Sequence, residues 1–226
     1  MDIENSVALV TGANRGFGRH LAEQLLKHGA KVYAAARKPE TVDLPGTTPL
    51  RLDVTDPASV EEAAAAAPDV TLLINNAGSL TRATLLGGDL ADIRLDLETH
   101  YFGTLAMTRA FAPIIERNGG GAVLNVLSVL SWWHPGGAGA YASAKAATWA
   151  QTNSIREELA PRRITVTALH VGYMDTDMAA HIPAEEKIDP ALVAVQALDA
   201  IRSGASEVLA DEVTRQVKGS LGRPSY

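Results

Sequence analysis

Ser6-Val7-Ala8-Leu9-Val10-Thr11-Gly12-Ala13-Asn14-Arg15-Gly16-Phe17-Gly18 is the stretch on which the reading of this chain turns. Residues 6–10 form a short apolar run of strand type, and residues 16–28 carry apolar positions at helical spacing. Three glycines lie between the two patterns and at the head of the second. Glycine permits a sharp turn and lets another group approach the main chain closely. A helix that opens on such a turn presents unpaired N–H groups and the positive end of its dipole, the arrangement that takes a diphosphate. Tight turns without ligands also use glycine; the placement between strand and helix sets this one apart. The spacing is not G-x-x-x-x-G-K-S/T, which disfavours a nucleoside triphosphatase.

Outward from this turn, short β-branched runs alternate with longer helical ones. Strands are predicted at residues 31–36, 50–52, 71–74, 121–127 and 164–169, with an edge-like seventh at 207–210. Helices are predicted at residues 53–67, 95–118, 140–159 and 190–203. The alanine-rich run from Glu61 to Ala67 is flanked by Asp56-Pro57 and Pro68, helix punctuation that argues against low complexity. Strand–helix alternation with doubly buried runs implies an α/β fold: a single-domain, Rossmann-type, doubly wound parallel sheet in the order 3-2-1-4-5-6-7. The 226 residues suit one domain, residues 1–226, with one shared core. The polar stretch 214–226 is read as a tail, either mobile or covering the site.

The composition is ordinary for a globular chain: 46% of residues are hydrophobic and the net charge is -6. No basic stripe points to nucleic acid. The absence of cysteine excludes disulfides, thiolate metal sites and cysteine nucleophiles. No apolar run reaches the roughly 20 residues of a membrane span, and residues 1–6 do not resemble a secretory signal, so a cytoplasmic location is expected. The six histidines are scattered and no His-Glu-x-x-His motif occurs, so no metal site is expected.

The second strand ends Ala34-Ala35-Ala36-Arg37-Lys38. NAD-dependent enzymes place an acid at this corner for the ribose 2′-hydroxyl. Here the position is neutral Ala36, followed by Arg37, and Arg15 of the glycine turn reaches the same corner. The two guanidinium groups are either solvated surface charges or the partners of a 2′-phosphate. The missing acid favours the second reading, with NADPH/NADP+ preferred over NADH.

Tyr141-Ala142-Ser143-Ala144-Lys145 opens the helix after the fifth strand, so Tyr141 and Lys145 share one helix face. Ser128 ends the fifth strand, where a parallel sheet lines its ligand crevice. A ketone receiving hydride develops alkoxide charge and needs a proton donor in place. Tyr141 is read as that acid, Lys145 as the ammonium that lowers the phenol's pKa and holds the ribose, and Ser128 as the group that orients the carbonyl oxygen.

With these motifs in view, the sequence resembles the short-chain dehydrogenase/reductase family over nearly the whole chain. The resemblance implies cofactor contacts from Gly12, Asn14, Arg15, Gly16, Phe17 and Gly18 in the loop, and from Asp53 and Val54 near the adenine. It implies a supporting turn at Asn75-Asn76-Ala77-Gly78. It also implies contacts from the segment Val171-Gly172-Tyr173-Met174-Asp175-Thr176, with the Met174 main chain at the carboxamide and Thr176 at the diphosphate. The family commonly forms dimers or tetramers through its two long helices, here near residues 95–118 and 140–159, so a homo-oligomer is implied. Two positions depart from the pattern. His100 stands where the family usually has an asparagine, either bonded to main chain or titrating near neutrality. Val171 replaces the usual proline.

The candidate substrate wall is Leu130, Trp132, Trp133, Tyr173 and Met178. The tryptophan pair either walls an apolar pocket or divides between core and an oligomer interface. His134 and His181 are loop histidines that either touch substrate or stay exposed, and residues 173–189 read as a lid. The reading is an NADPH-dependent reductase of a ketone or aldehyde. Its alternatives are a non-catalytic NADP(H)-binding regulator and, less well supported, a sugar-nucleotide epimerase, for which too little chain follows the sixth strand.

Overall fold

The computed structural model describes residues 1–221. In chain order the regular elements are β1 (Val7–Thr11), α1 (Gly16–Lys27), β2 (Lys31–Ala36), β3 (Thr48–Arg51), α2 (Pro57–Ala66) and β4 (Leu72–Asn75). They continue as α3 (Leu90–Leu97), α4 (Gly103–Arg117), β5 (Gly121–Val126), α5 (Gly139–Leu159), β6 (Ile164–His170), α6 (Pro190–Ser203), β7 (Glu207–Leu209) and α7 (Glu212–Ser220). The strands form one sheet, every pairing parallel, in the order β3-β2-β1-β4-β5-β6-β7.

The period-two alternation of strand side chains divides the core. Val10, Ile74, Leu124 and Leu169 face one side, where Leu21 and Leu25 of α1 meet Val193 and Leu198 of α6. Leu9, Leu73, Val123 and Val166 face the other, against Val60 of α2, Met107 and Phe111 of α4, and Ile155 of α5. Burial on both faces explains why these strands read as continuous apolar runs rather than polar–apolar alternation. No helix among the described residues is long and apolar enough to cross a membrane.

Three local features differ from expectation. The helix predicted over 95–118 begins earlier, at Leu90, capped by Asp89, whose carboxylate accepts from Ala91 N at 2.8 Å. It is also interrupted by one π-helical turn, Glu98–Phe102, before α4. The third strand ends at Arg51, and the helix after it starts only at Pro57, because Asp56 caps it by accepting from Ala58 N. The stretch read as a tail is helical from Glu212 to Ser220. Asp211 makes this possible: one carboxylate oxygen caps α7 at Thr214 N (2.8 Å) and the other accepts from Gly172 N (2.6 Å). Of that tail, residues 222–226 lie outside the described residues.

Candidate active site

The glycine turn follows β1 and opens α1. Gly12 has φ +65°, a left-handed conformation that suits glycine. A Cβ on Gly18 would be driven into the Gly12 carbonyl. Asn76, just past β4, locks the turn: its Nδ2 donates to the carbonyls of Thr11 (2.8 Å) and Gly12 (3.2 Å). Thr11 Oγ1 in return accepts from the amides of Asn76 and Ala77, each at 2.9 Å. Arg15 at the head of α1 makes no capping bond, and the first turn holds no acid. The N–H groups there have no competing side-chain anion, so the cradle fits a diphosphate.

Asp53, expected near the adenine, accepts two bonds from Thr55, at 3.0 Å from its amide and 2.7 Å from its hydroxyl. Burial pushes the Asp53 carboxyl up, but these bonds and the nearby Arg37 and Arg51 charges outweigh it, so its pKa lies below the usual range. Arg37 is exposed, as a 2′-phosphate partner must be before binding. Arg15 Nη1 instead meets Asp177 at 3.0 Å in the segment after β6. Asn14 donates to Thr41 Oγ1 at 3.0 Å.

The carboxyl end of β5 carries the residues expected to do the chemistry. Asn75 of β4 donates to Asn125 of β5 (2.9 Å), and Asn125 donates to Thr152 of α5 (2.9 Å), all buried. This chain of amides sets α5 against the sheet. Lys145 Nζ donates to the Val126 carbonyl at 2.8 Å and lies 5.6 Å from the centroid of the Tyr141 ring. Ser128 is buried and caps the short turn Val129–Ser131 by accepting from Leu130 N at 3.1 Å. Burial lowers the Lys145 pKa to about 7, against the opposing pull of the Asp96 charge. The Tyr141 ring is partly exposed, but burial of its hydroxyl raises the phenol pKa, with a hydrogen bond to Ser128 pulling down and Asp96 pushing further up. The expected lowering of the phenol by Lys145 is thus not the outcome in the cofactor-free protein. Desolvation, which penalises the phenolate, outweighs the other influences.

His100 lies in the π-helical turn, buried, its ring edge-on to Tyr141 at 5.1 Å between centroids. Its Nε2 lies 2.8 Å from the Ser79 carbonyl and 3.2 Å from the Ser79 amide, so the ring is bonded to main chain in either tautomer. Burial, with Lys145 adding to it, drives its pKa well below the ordinary value despite the Ser79 bond, and the ring is neutral at pH 7.

This geometry agrees with what the chain is similar to. A family model described as short chain dehydrogenase matches residues 6–187. The protein is a short-chain dehydrogenase/reductase. It is 34% identical over 201 residues to the 3-oxoacyl-acyl-carrier-protein reductase FabG of Escherichia coli, covering 83% of this chain and 81% of the relative. A short-chain dehydrogenase from Burkholderia cenocepacia, solved in complex with NADP, superposes with a TM-score of 0.93. It is 40% identical, and the match covers 99% of this chain and 95% of that one. A Burkholderia phymatum short-chain dehydrogenase/reductase, solved with NAD, superposes at 0.86 over 96% of this chain and 93% of that one, but at 24% identity it shares the fold alone.

In this dehydrogenase the segment after β6 closes on itself: Asp175 N donates to the Ile188 carbonyl (3.0 Å) and Ile188 N to the Tyr173 carbonyl (2.9 Å). Gly172 N is occupied by Asp211, and Met174 and Thr176 are partly buried at its base. Tyr173 and Met178 are exposed, Trp133 is about half exposed at 49%, and Leu130 is partly buried. Trp132 is a correction. It packs inside, stacked on His170 at 3.8 Å, edge-on to Trp149 at 5.7 Å, with Lys218 Nζ of α7 4.5 Å above it. The helix missing from the sequence reading is what covers it. His134 borders a groove of about 570 Å³ with Leu85, Leu86 and Pro135; Tyr141 and Lys145 are not in its lining. His181 meets Arg82 Nη2 at 2.9 Å. His170 Nδ1 donates to the Ser128 carbonyl at 3.2 Å, and burial lowers its pKa to about 3.

Sequence reasoning missed Asp96. It is fully buried, and its two oxygens accept from Ser79 Oγ (2.7 Å) and Thr81 Oγ1 (2.9 Å). The only signal was its place one turn before His100.

Proposed function

We propose that this short-chain dehydrogenase is an NADPH-dependent reductase of ketones or aldehydes. The observation that carries the reading is the meeting of Ser128, Tyr141 and Lys145 at the carboxyl end of β5, on the crevice side of a glycine cradle shaped for a dinucleotide. NADPH, when bound, supplies the hydride. Tyr141 then gives its phenolic proton to the oxygen of the reduced carbonyl, converting alkoxide to alcohol. The phenol holds that proton at neutral pH as any tyrosine does, and its raised pKa makes it a weaker acid than a free phenol, so the proton leaves only as alkoxide charge develops. Ser128 hydrogen-bonds the same oxygen and fixes its position. Lys145, anchored at Val126, supplies positive charge beside the phenol and a donor toward the ribose. Arg37 takes the 2′-phosphate, joined by Arg15 when its exposed ion pair with Asp177 opens, a preference supported by the neutral Ala36 and by the NADP-bound relative.

The protein is further proposed to act in the cytoplasm as a homodimer or homotetramer. The face shared by α4 and α5 supports the assembly: a groove of about 480 Å³ lies between Tyr101, Leu105 and Ile155, and the buried Gln151 amide in it has no partner among the described residues. The deciding experiment is NADPH oxidation on a panel of activated ketones and aldehydes. Wild type is expected to turn over and Tyr141→Phe to be inactive while still binding NADPH. Binding without turnover across the panel would replace this reading with a non-catalytic NADP(H)-binding regulator.

A further inference from the structure

His170 ends β6 and is fully buried. Its Nδ1 lies 3.2 Å from the Ser128 carbonyl, which can only accept, so Nδ1 carries the ring proton. The other ring nitrogen, Nε2, has no hydrogen-bond partner among the described residues. Oε1 of Glu207 stands 3.7 Å from it, beyond hydrogen-bond reach, and is taken by Lys218 Nζ at 2.8 Å. An apolar side chain would fill this place without leaving a buried nitrogen unpaired. The histidine therefore weakens the core, and its one satisfied atom points at a residue of the candidate active site. Departures of this kind from good core chemistry collect at functional sites.

The ring grips one turn at both ends. Ser128 caps the short turn Val129–Ser131, and Trp132 closes it, its N–H donating to the Val129 carbonyl at 3.1 Å. Nδ1 holds the first of these residues. The ring face holds the last, stacked on Trp132 with centroids 3.8 Å apart and planes 22° from parallel. Trp132 is itself fixed, edge-on to Trp149 of α5 and with Lys218 Nζ above it. The peptide between Ser128 and Val129 is thus tied to the end of β6 through both of its polar groups. Its N–H donates to the Val171 carbonyl at 3.0 Å, and its C=O accepts from His170. The bond that the same carbonyl accepts from Ser131 N, at 3.0 Å, lies within the turn and cannot fix the turn against the sheet. The Ser128 hydroxyl accepts from Leu130 N of the same turn, which leaves its own proton for another acceptor.

We propose that His170 is a positioning residue for the reaction: from the end of β6 it clamps the turn Ser128–Trp132, and so fixes where the Ser128 hydroxyl meets the oxygen of the carbonyl being reduced. The proposal rests on the reductase reading. A hydrogen bond to a developing alkoxide helps only if its donor already stands in place, so loosening the clamp acts on the chemical step. The diphosphate cradle is built by β1, α1 and Asn76, which His170 does not hold.

The experiment measures kcat and the Kd for NADPH in wild type, H170F, H170L and H170N, each with and without Ser128→Ala. The substrate is the panel ketone or aldehyde that wild type reduces fastest. H170F and H170L both remove the donor, and the Ser128 carbonyl keeps its Ser131 bond. Two sizes of apolar side chain cover the case in which one does not fit. Both should lower kcat about tenfold or more while the Kd for NADPH stays within about twofold. H170N places an amide N–H near the position of Nδ1 and should recover at least about threefold of the loss. In the Ser128→Ala background the same substitutions should change kcat by less than about twofold, because a group that acts through Ser128 then has nothing to place. Equal slowing with and without Ser128, wild-type kcat in both H170F and H170L, or lost NADPH affinity in place of lost kcat would overturn the proposal. A wild type without turnover, or an active Tyr141→Phe, would instead overturn the reductase reading and the proposal with it.

Discussion

Lys145 holds its Nζ 5.6 Å from the centroid of the Tyr141 ring while donating a 2.8 Å hydrogen bond to the Val126 carbonyl. The helix sets the first relationship and the end of β5 the second, so the amine cannot turn away from the phenol without losing that partly buried bond.

The first prediction concerns pH. Burial brings the Lys145 pKa to about 7, so the protonated form is lost as pH rises through that value. The kcat/KM for NADPH in the reductive direction should be flat on the acid side and fall about tenfold per pH unit above it. Lys145→Met should lack this limb and run at least about a hundredfold slower. Initial rates across the range decide it, and a limb retained in Lys145→Met would assign it to another group.

Gly18→Ala should weaken NADPH binding by more than about tenfold, since the methyl displaces the Gly12 carbonyl and with it the phosphate cradle. Circular dichroism should remain native, because the turn lies at the sheet's rim. Fluorescence titration of NADPH measures the loss; unchanged affinity would remove the diphosphate from this turn.

Arg37→Asp replaces an exposed guanidinium by the acid that suits a ribose 2′-hydroxyl. The NADPH-to-NADH ratio of kcat/KM should fall by about a hundredfold or more. A ratio that stays the same would refute the placement of the 2′-phosphate.

His100→Asn should leave turnover within about tenfold of wild type, because the histidine is neutral and bonded to the Ser79 main chain. Loss of nearly all turnover with NADPH binding intact would give His100 a direct part in the chemistry.

His170 is fully buried, and its pKa is lowered to about 3 from an unfolded value near 6.5. The unfolded chain thus binds a proton that the folded one refuses, and stability drops as pH falls from about 6.5 toward 3. By linkage this costs about 2 kcal/mol at pH 5. Urea unfolding should show wild type losing that much more than His170→Gln between about pH 7 and pH 5; equal losses in both would contradict the account.

The Lys31–Ala36 and Pro190–Ser203 boundaries were legible to the residue, and the glycine turn by position, because each is governed by local chemistry: apolar period, proline at a helix start, glycine where a turn tightens. The sheet order followed from strand–helix alternation and the handedness of crossovers. Ser128, Tyr141 and Lys145 stood out because a helical turn and a strand end put them on one side of the sheet before any packing is known.

What tertiary structure alone decided is of another kind. The π-helical turn at His100 has no sequence mark, since its residues suit an ordinary helix. The last helix, α7, exists because Asp211 caps it and is tied to Gly172, 39 residues earlier in the chain. That helix turns Trp132 from a surface ring into a buried one. Asp96 reads in sequence as one acid on an amphipathic helix, and becomes a buried charge only when α3 settles against α5. Local order is set by neighbours in the chain, whereas burial and the pKa shifts that follow it depend on segments that meet only after the chain has folded.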